Sequence, residues 1–435
     1  MRRPLAFGAA LAALAALALP APAAAHAVLE RALPETQARV GSPPAQVVLY
    51  FSEPVLAGPD AVRVLGPDGR LLSGAALLSP DRRVLRAVLA PLARGQAYTV
   101  RWRVTGRDGH SPAGVYTFGV GVAPPPPTEA VGAQGTTWRD HLARWLLFAA
   151  LALLVGPLAL RLLVLRGPVP PALEERFHLL AIAAAFLVID AGIAAFVVRA
   201  SNALQLPLVD LLFGDLQPFA EKTRSGAAFL VMTVGFAVVA ALLVLAWVFD
   251  RPRLRAPALA LALALASGLS LSGHQATEAN ASLLAELADW LHLAAACVWV
   301  GGLAALALLV WPTAPELRAR AFLGFSRLAV ALVAALVAAG GYLALARLPA
   351  LAALWDTGYG RILLLKLALA SLALAWGAFH HLVVRPRLAA GEELRLRPSL
   401  VGELTAALAV LLAAAVLANA APPPPSGTPG ALPGG

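Results

Sequence analysis

The chain has 435 residues, of which 60% are hydrophobic and 13% charged, and its formal net charge is +10. So apolar a composition argues against a wholly soluble protein, and the arginines cluster in short loops between apolar runs, which fits membrane orientation rather than nucleic-acid binding. The single cysteine, Cys297, excludes an intrachain disulfide framework, and the absence of CxxC, Walker, GxGxxG and HExxH motifs leaves ATP-driven pumping without support.

Residues 1–25 read as a secretory signal peptide: Arg2 and Arg3, an apolar run over 5–19, then the small-x-small site Ala23-Ala24-Ala25. Cleavage after Ala25 makes His26 the mature N-terminus. Residues 26–122 alternate in short runs, with strands expected at 47–51, 61–65, 98–104 and 115–118. Turn signals such as Gly66-Pro67-Asp68-Gly69 and Arg107-Asp108-Gly109 separate them, which predicts an all-β Greek-key domain. Residues 123–141 form a Pro-rich linker, stiffened by Pro124 to Pro127.

Residues 142–420 predict an all-α polytopic membrane domain of about eight transmembrane helices, over 142–165, 177–198, 226–249, 256–273, 287–311, 321–346, 361–384 and 401–420. Residues 421–435, rich in Pro, Gly and Ser, predict a disordered tail. If the β domain is exported, the cytoplasmic connections hold Arg166, Arg176, Arg251, Arg253, Arg255, Arg318, Arg320, Arg385, Arg387, Arg395 and Arg397. The opposite ones hold Arg199, Lys222, Arg224, Arg347 and Arg361 at most. That bias follows the positive-inside rule and agrees with the signal peptide. The expected location is the bacterial inner membrane, with the N-terminal domain and the C-terminal tail on the outer, periplasmic side.

The β domain holds two histidines, His26 and His110. A mature His26 offers an α-amine and an imidazole that chelate one ion; His110 adds a third nitrogen and Asp108 an oxygen. That set suits Cu(II), which binds most tightly among divalent first-row metals. The same residues also read as an accidental terminus and an ordinary Asp-Gly turn. Beyond Met1 the one methionine is Met232, so a Met-rich Cu(I) site is not expected.

The β domain resembles the copper-resistance family CopC. The likeness rests on His26-Ala27-x-Leu29, Pro34, Val48-x-Tyr50-Phe51-Ser52, Trp102, Val104, and Asp108-Gly109-His110-Ser111-Pro112-x-Gly114-x-Tyr116-x-Phe118. It implies a cupredoxin-like or Ig-like Greek-key fold, with His26, Asp108 and His110 matching the family's Cu(II) ligands. The chain departs from members that carry a Met-rich Cu(I) loop.

In the membrane half, the predicted topology places His141, His274, Asp289 and His292 near the outer face and His178, His380 and His381 near the inner one. Asp289 and His292 share a helix face that Trp299 joins. His178 and His141 read best as interfacial side chains contacting headgroups. Asp190, well inside the second helix, is expected to face a partner or a water-filled cavity. Gly301-Gly302 and Gly340-Gly341 allow close helix approach, in packing or along a pathway. Cys297 lies about 140° from His292 on an ideal helix and reads as packing.

This half resembles the membrane family CopD through Ser272-Gly273-His274, Asp289-x2-His292-x6-Trp299-Val300-Gly301-Gly302-Leu303, Phe325-Ser326-Arg327-Leu328-Ala329 and Thr357-x-Tyr359-Gly360-Arg361-x-Leu363-x2-Lys366. The resemblance implies copper passage across the membrane. The leading expectation is copper import: Cu(II) captured outside, then passage by His274, Asp289 and His292, with the oxidation state in the membrane left open between Cu(II) and Cu(I). Copper ions, lipid and periplasmic copper carriers are the expected partners, without nucleic acid. No enzymatic activity is expected. The alternatives are a haem- or copper-based membrane redox protein, and copper resistance or homeostasis without net transport. A histidine-brace monooxygenase is opposed by Asp108, which fills the position such enzymes leave free for oxygen.

Overall fold

The computed structural model describes residues 27–107, 112–124, 138–204, 224–271, 283–348 and 350–420. The expected leader, most of the linker and the C-terminal tail lie outside these residues.

The N-terminal part forms two four-stranded sheets. One has the order β1-β3-β6-β5, from Leu29–Leu33, Gln46–Phe51, Val84–Leu89 and Ser73–Leu78. The other has the order β2-β8-β7-β4, from Arg39–Val40, Ala113–Val120, Gln96–Arg103 and Val62–Leu65. All pairings are antiparallel except β2 with β8. Alternation builds the core between the sheets: along β6, Leu85, Ala87 and Leu89 are buried while Arg86 and Val88 face out. Phe51 and Phe118 are almost fully buried, each worth about 1.5–3 kcal/mol of transfer free energy.

Sequence pattern located β3, β4, β7 and β8 and passed over the other four. Two of those, β1 and β5, are edge strands with shifted register, between Leu29 and Arg31 and between Ser73 and Ala76. A bulge breaks the alternation that marks a strand. The third, β2, is two residues long. The fourth, β6, is central and does alternate, but Arg82, Arg83 and Arg86 interrupt its apolar reading.

The described residues then form eight long helices: α1 Trp138–Ala159, α2 Pro171–Leu204, α3 Arg224–Val248, α4 Arg255–Leu271, α5 Leu283–Ala305, α6 Arg318–Arg347, α7 Gly358–Phe379 and α8 Arg397–Leu417. Seven are long and apolar enough to cross a bilayer. The eighth apolar segment is α4, 17 residues in its described part, so the expected eight is met as seven spans and one shorter helix. Three helices continue into a π-helical turn: α1 into Leu160–Val164, α5 into Leu306–Val310 and α7 into His380–Val384.

The inner pair is α1 and α5. A Cβ at Gly301 would overlap the Ala152 carbonyl and the Gly156 backbone, and one at Gly156 would strike Gly301 and Gly302. Small residues here let two backbones touch, which is how helices gain packing energy where lipid already satisfies apolar surface. Gly301 therefore serves packing.

Polar side chains inside the bundle tie helices together. Arg161 Nε donates to Glu174 Oε2 at 2.7 Å, and Arg255 pairs with both Glu174 and His178. His178 thus joins an ion cluster linking α2 to α4, rather than reaching for headgroups. His141 likewise meets Asn419 at 3.0 Å, joining the start of α1 to the chain beyond α8.

Candidate functional site

The β domain brings the flanks of the expected copper ligands to one place. His26, Asp108 and His110 lie outside the described residues, but their neighbours do not. Val28 N–H donates to Ser52 Oγ at 2.9 Å, and Ser52 N–H donates back to the Val28 carbonyl at 3.0 Å. The next residue, Glu53, is 7% exposed, and its Oε1 accepts the Arg107 N–H at 3.3 Å. Val28 is two residues from His26, and Arg107 immediately precedes Asp108. A chain spans at most about 3.6 Å per residue, so anchoring both flanks on consecutive residues keeps the two segments within short reach.

The strands make this meeting point. Leu29 at the start of β1 pairs with Phe51 at the end of β3, and the Phe51 ring meets Trp102, near the end of β7, edge-on at 5.5 Å. Trp102 sits opposite Gly114 in the β7–β8 ladder, where any Cβ would strike the indole. Burial pushes the Tyr116 phenol up, so it stays neutral throughout the physiological range. Sequence reading missed Glu53. Its one signal is an acid directly after a strand, Phe51-Ser52-Glu53-Pro54, which is common on any surface.

In the membrane domain, Asp289, His292 and Trp299 of α5 line one cavity of about 750 Å³, as their shared helix face predicts. Arg347 at the end of α6 and Tyr359 and Lys366 of α7 line it too. Arg347 Nη2 stands 4.0 Å from Asp289 Oδ1. His292 Nδ1 lies 3.2 Å from the Leu336 carbonyl. A carbonyl only accepts, so Nδ1 carries a proton, and in the neutral ring Nε2 then keeps its lone pair. Gly340 makes room for this imidazole, since a Cβ there would come within 2.9 Å of its Cε1.

His274 lies outside the described residues. Cys297 is fully buried in the helical core and does not line the cavity, in keeping with a packing role. Asp190 is exposed on α2 and does not line it either; Val188 and Ala191 take the buried face instead. Sequence pattern assigns neither Lys366 nor Arg347 a place beside Asp289. Two cations beside Asp289 change the electrostatics of the expected path, because an incoming metal ion must displace Arg347 as counter-ion to the carboxylate.

A second polar cluster lies at the other end of the bundle. His380 Nδ1 is 2.6 Å from Glu403 Oε2, and Ser399 Oγ is 2.8 Å from His380 Nε2. Trp376 Nε1 donates to the same Ser399 hydroxyl at 3.0 Å. Next to it, His381 Nδ1 meets Ser326 Oγ at 2.8 Å. Among the described residues no three His, Cys, Asp or Glu side chains converge as a metal site.

Three stretches of the chain match known families: the CopC domain over residues 29–121, the N-terminal domain of copper resistance protein D-like proteins over 137–283, and copper resistance protein D over 319–417. The chain belongs to the CopC–CopD copper-resistance family. Copper transport protein CutJ of Bacillus subtilis (strain 168) is 26% identical over 423 residues, covering 92% of this chain and 75% of CutJ. Protein YobA of Escherichia coli (strain K12) is 35% identical over 98 residues, covering 22% of this chain and 79% of YobA. A crystal structure of CopC from Methylosinus trichosporium OB3b is 32% identical, covering 22% of this chain and 93% of that one, with a TM-score of 0.20. The CopC-like sandwich followed by seven apolar helices makes this a multi-pass membrane protein of copper handling.

Proposed function

We propose that this CopC–CopD fusion imports copper. The β domain captures Cu(II) on the outer side through the α-amine and imidazole of a mature His26, with His110 and Asp108. The membrane domain receives the ion through His274, Asp289 and His292. The signal peptide over 1–25, the domain limits at 26–122 and 142–420, and the arginine bias of the loops support this orientation. CutJ, described as a copper transport protein, supports the cargo.

The observation that carries the reading is the double anchor at Ser52 and Glu53. It holds the chain beside His26 and the chain beside Asp108 at one end of the sandwich. Four ligands from two distant segments make one site only if the fold closes that gap. Within the membrane, His292 Nε2 is the free lone pair, and Asp289 is the carboxylate that exchanges Arg347 for the metal. Without an ATPase motif, passage is driven by the copper gradient and by trapping inside.

Radiolabelled copper uptake tests this. Cells expressing the wild-type chain should accumulate more copper than cells expressing the His274→Ala/His292→Ala double variant at equal protein level. Equal accumulation refutes import by this path.

A further inference from the structure

The cavity around His292 is far larger than copper requires. Its volume of about 750 Å³ falls in the range of sites for organic ligands, about 300–1,000 Å³, whereas one water needs about 30 Å³. Its walls are mostly apolar, with Phe148, Phe196, Phe229 and Phe236 among the lining residues. An ion path through lipid calls for convergent polar ligands, not aromatic walls.

Lys366 adds the second observation. Its side chain, half-buried, lines this cavity within electrostatic range of Asp289 and Arg347. Yet among the described residues it makes neither an ion pair nor a hydrogen bond. An ammonium without a partner at membrane depth is expensive, and a ligand that accepts its hydrogen bonds removes the cost. Lys366 lies about 12 Å along α7 from Gly358, at 1.5 Å per residue, and His292 about 13 Å along α5 from Leu283. That depth is below the level of phospholipid headgroups, in a hydrocarbon core about 30 Å thick.

We propose that this cavity binds a membrane quinone, with a ring carbonyl accepting from Lys366, the ring against the aromatic walls and the isoprenoid tail in the apolar remainder. The ligand chemistry follows from the site: a flat ring, one hydrogen-bond acceptor and an apolar chain, in a molecule whose polar head is itself soluble in the bilayer. A haem would want a second axial histidine, and His292 is the one histidine among the described lining residues. If copper passes His292 as proposed above, a quinol here is its reductant. One quinol loses two electrons and its two hydroxyl protons, two Cu(II) become two Cu(I), and the protons leave past Asp289 to outer water.

The test uses the purified full chain in detergent, free of copper, titrated with decylubiquinone and followed by tryptophan fluorescence, since Trp299 lines the cavity. Two variants bracket the site. Lys366→Met removes the donor with little change of volume. Gly341→Phe fills the cavity, because a Cβ at Gly341 meets nothing within 4 Å. Saturable quenching that weakens at least tenfold in both variants supports the site. Absence of saturable binding, or equal affinity in wild type and both variants, overturns it. So does displacement of the quinone by phosphatidylglycerol at equal concentration, or a Soret band in the purified protein. Because no copper is present, the outcome is separate from that of the uptake experiment.

Discussion

Breaking the His380–Glu403 pair should cost far more than removing it whole. The two side chains are 5% and 2% exposed, lie 2.6 Å apart, and join α7 to α8 at the start of a π-helical turn. Glu403→Leu leaves His380 Nδ1 without its carboxylate partner, and His380→Phe leaves that carboxylate without the imidazole. Stranding one partner of a buried pair costs about 3–5 kcal/mol, and Glu403→Gln, which keeps a hydrogen-bonding oxygen, should cost about 1–3 kcal/mol. The double variant His380→Phe/Glu403→Leu replaces both groups with apolar ones and should lie within about 1–2 kcal/mol of wild type, because desolvation no longer has to be repaid. The coupling energy from the cycle of singles and double should therefore exceed about 2 kcal/mol. Reversible unfolding of the full chain in mixed micelles, followed by circular dichroism, measures all four corners. A coupling below about 0.5 kcal/mol would refute the claim that this pair acts as one unit.

Four further outcomes follow. Adding one residue ahead of His26 in the mature chain replaces its α-amine by an amide, so Cu(II) affinity should fall by at least about tenfold. Affinity should also fall as pH drops through the imidazole range near 6.5, since bound histidines must be neutral; isothermal titration at pH 7.5 and 5.5 checks both. Glu53→Gln weakens the anchor of Arg107 and should lower Cu(II) affinity about 10-fold with unchanged far-ultraviolet dichroism, the usual scale for a residue that orients ligands. Gly301→Ala forces apart the α1 and α5 backbones and should destabilise the membrane domain by about 1–3 kcal/mol in the same micellar unfolding assay; an unshifted midpoint would show that the contact yields easily.

The membrane helices were legible because lipid demands long apolar runs, and each of the eight apolar segments coincides with a helix to within a few residues at most ends. Helix periodicity also put Asp289, His292 and Trp299 on one wall. What periodicity could not supply was the partner across the space. Lys366 is one basic residue in an apolar run, and only tertiary packing sets it opposite His292. Asp190 failed for the same reason: a charge within a helix names a cost without naming the direction it faces. In the β domain, the central strands β3, β7 and β8 were readable, while bulged edges were not. Glu53 was invisible because its importance lies in a contact to Arg107, 54 positions away.

The π-helical turns after α1, α5 and α7 make each of these helices a two-part device. An extra residue in a turn rotates everything beyond it by about 100° relative to an uninterrupted helix. In α7, the half bearing Lys366 and the half bearing His380 are thus set by separate angular choices. Deleting one residue from His380–Val384 would turn the far end without disturbing the cavity. A lineage of such proteins could then retune the end of the bundle that bears His380 by single-residue insertions and deletions, leaving the half that bears the cavity as it stands.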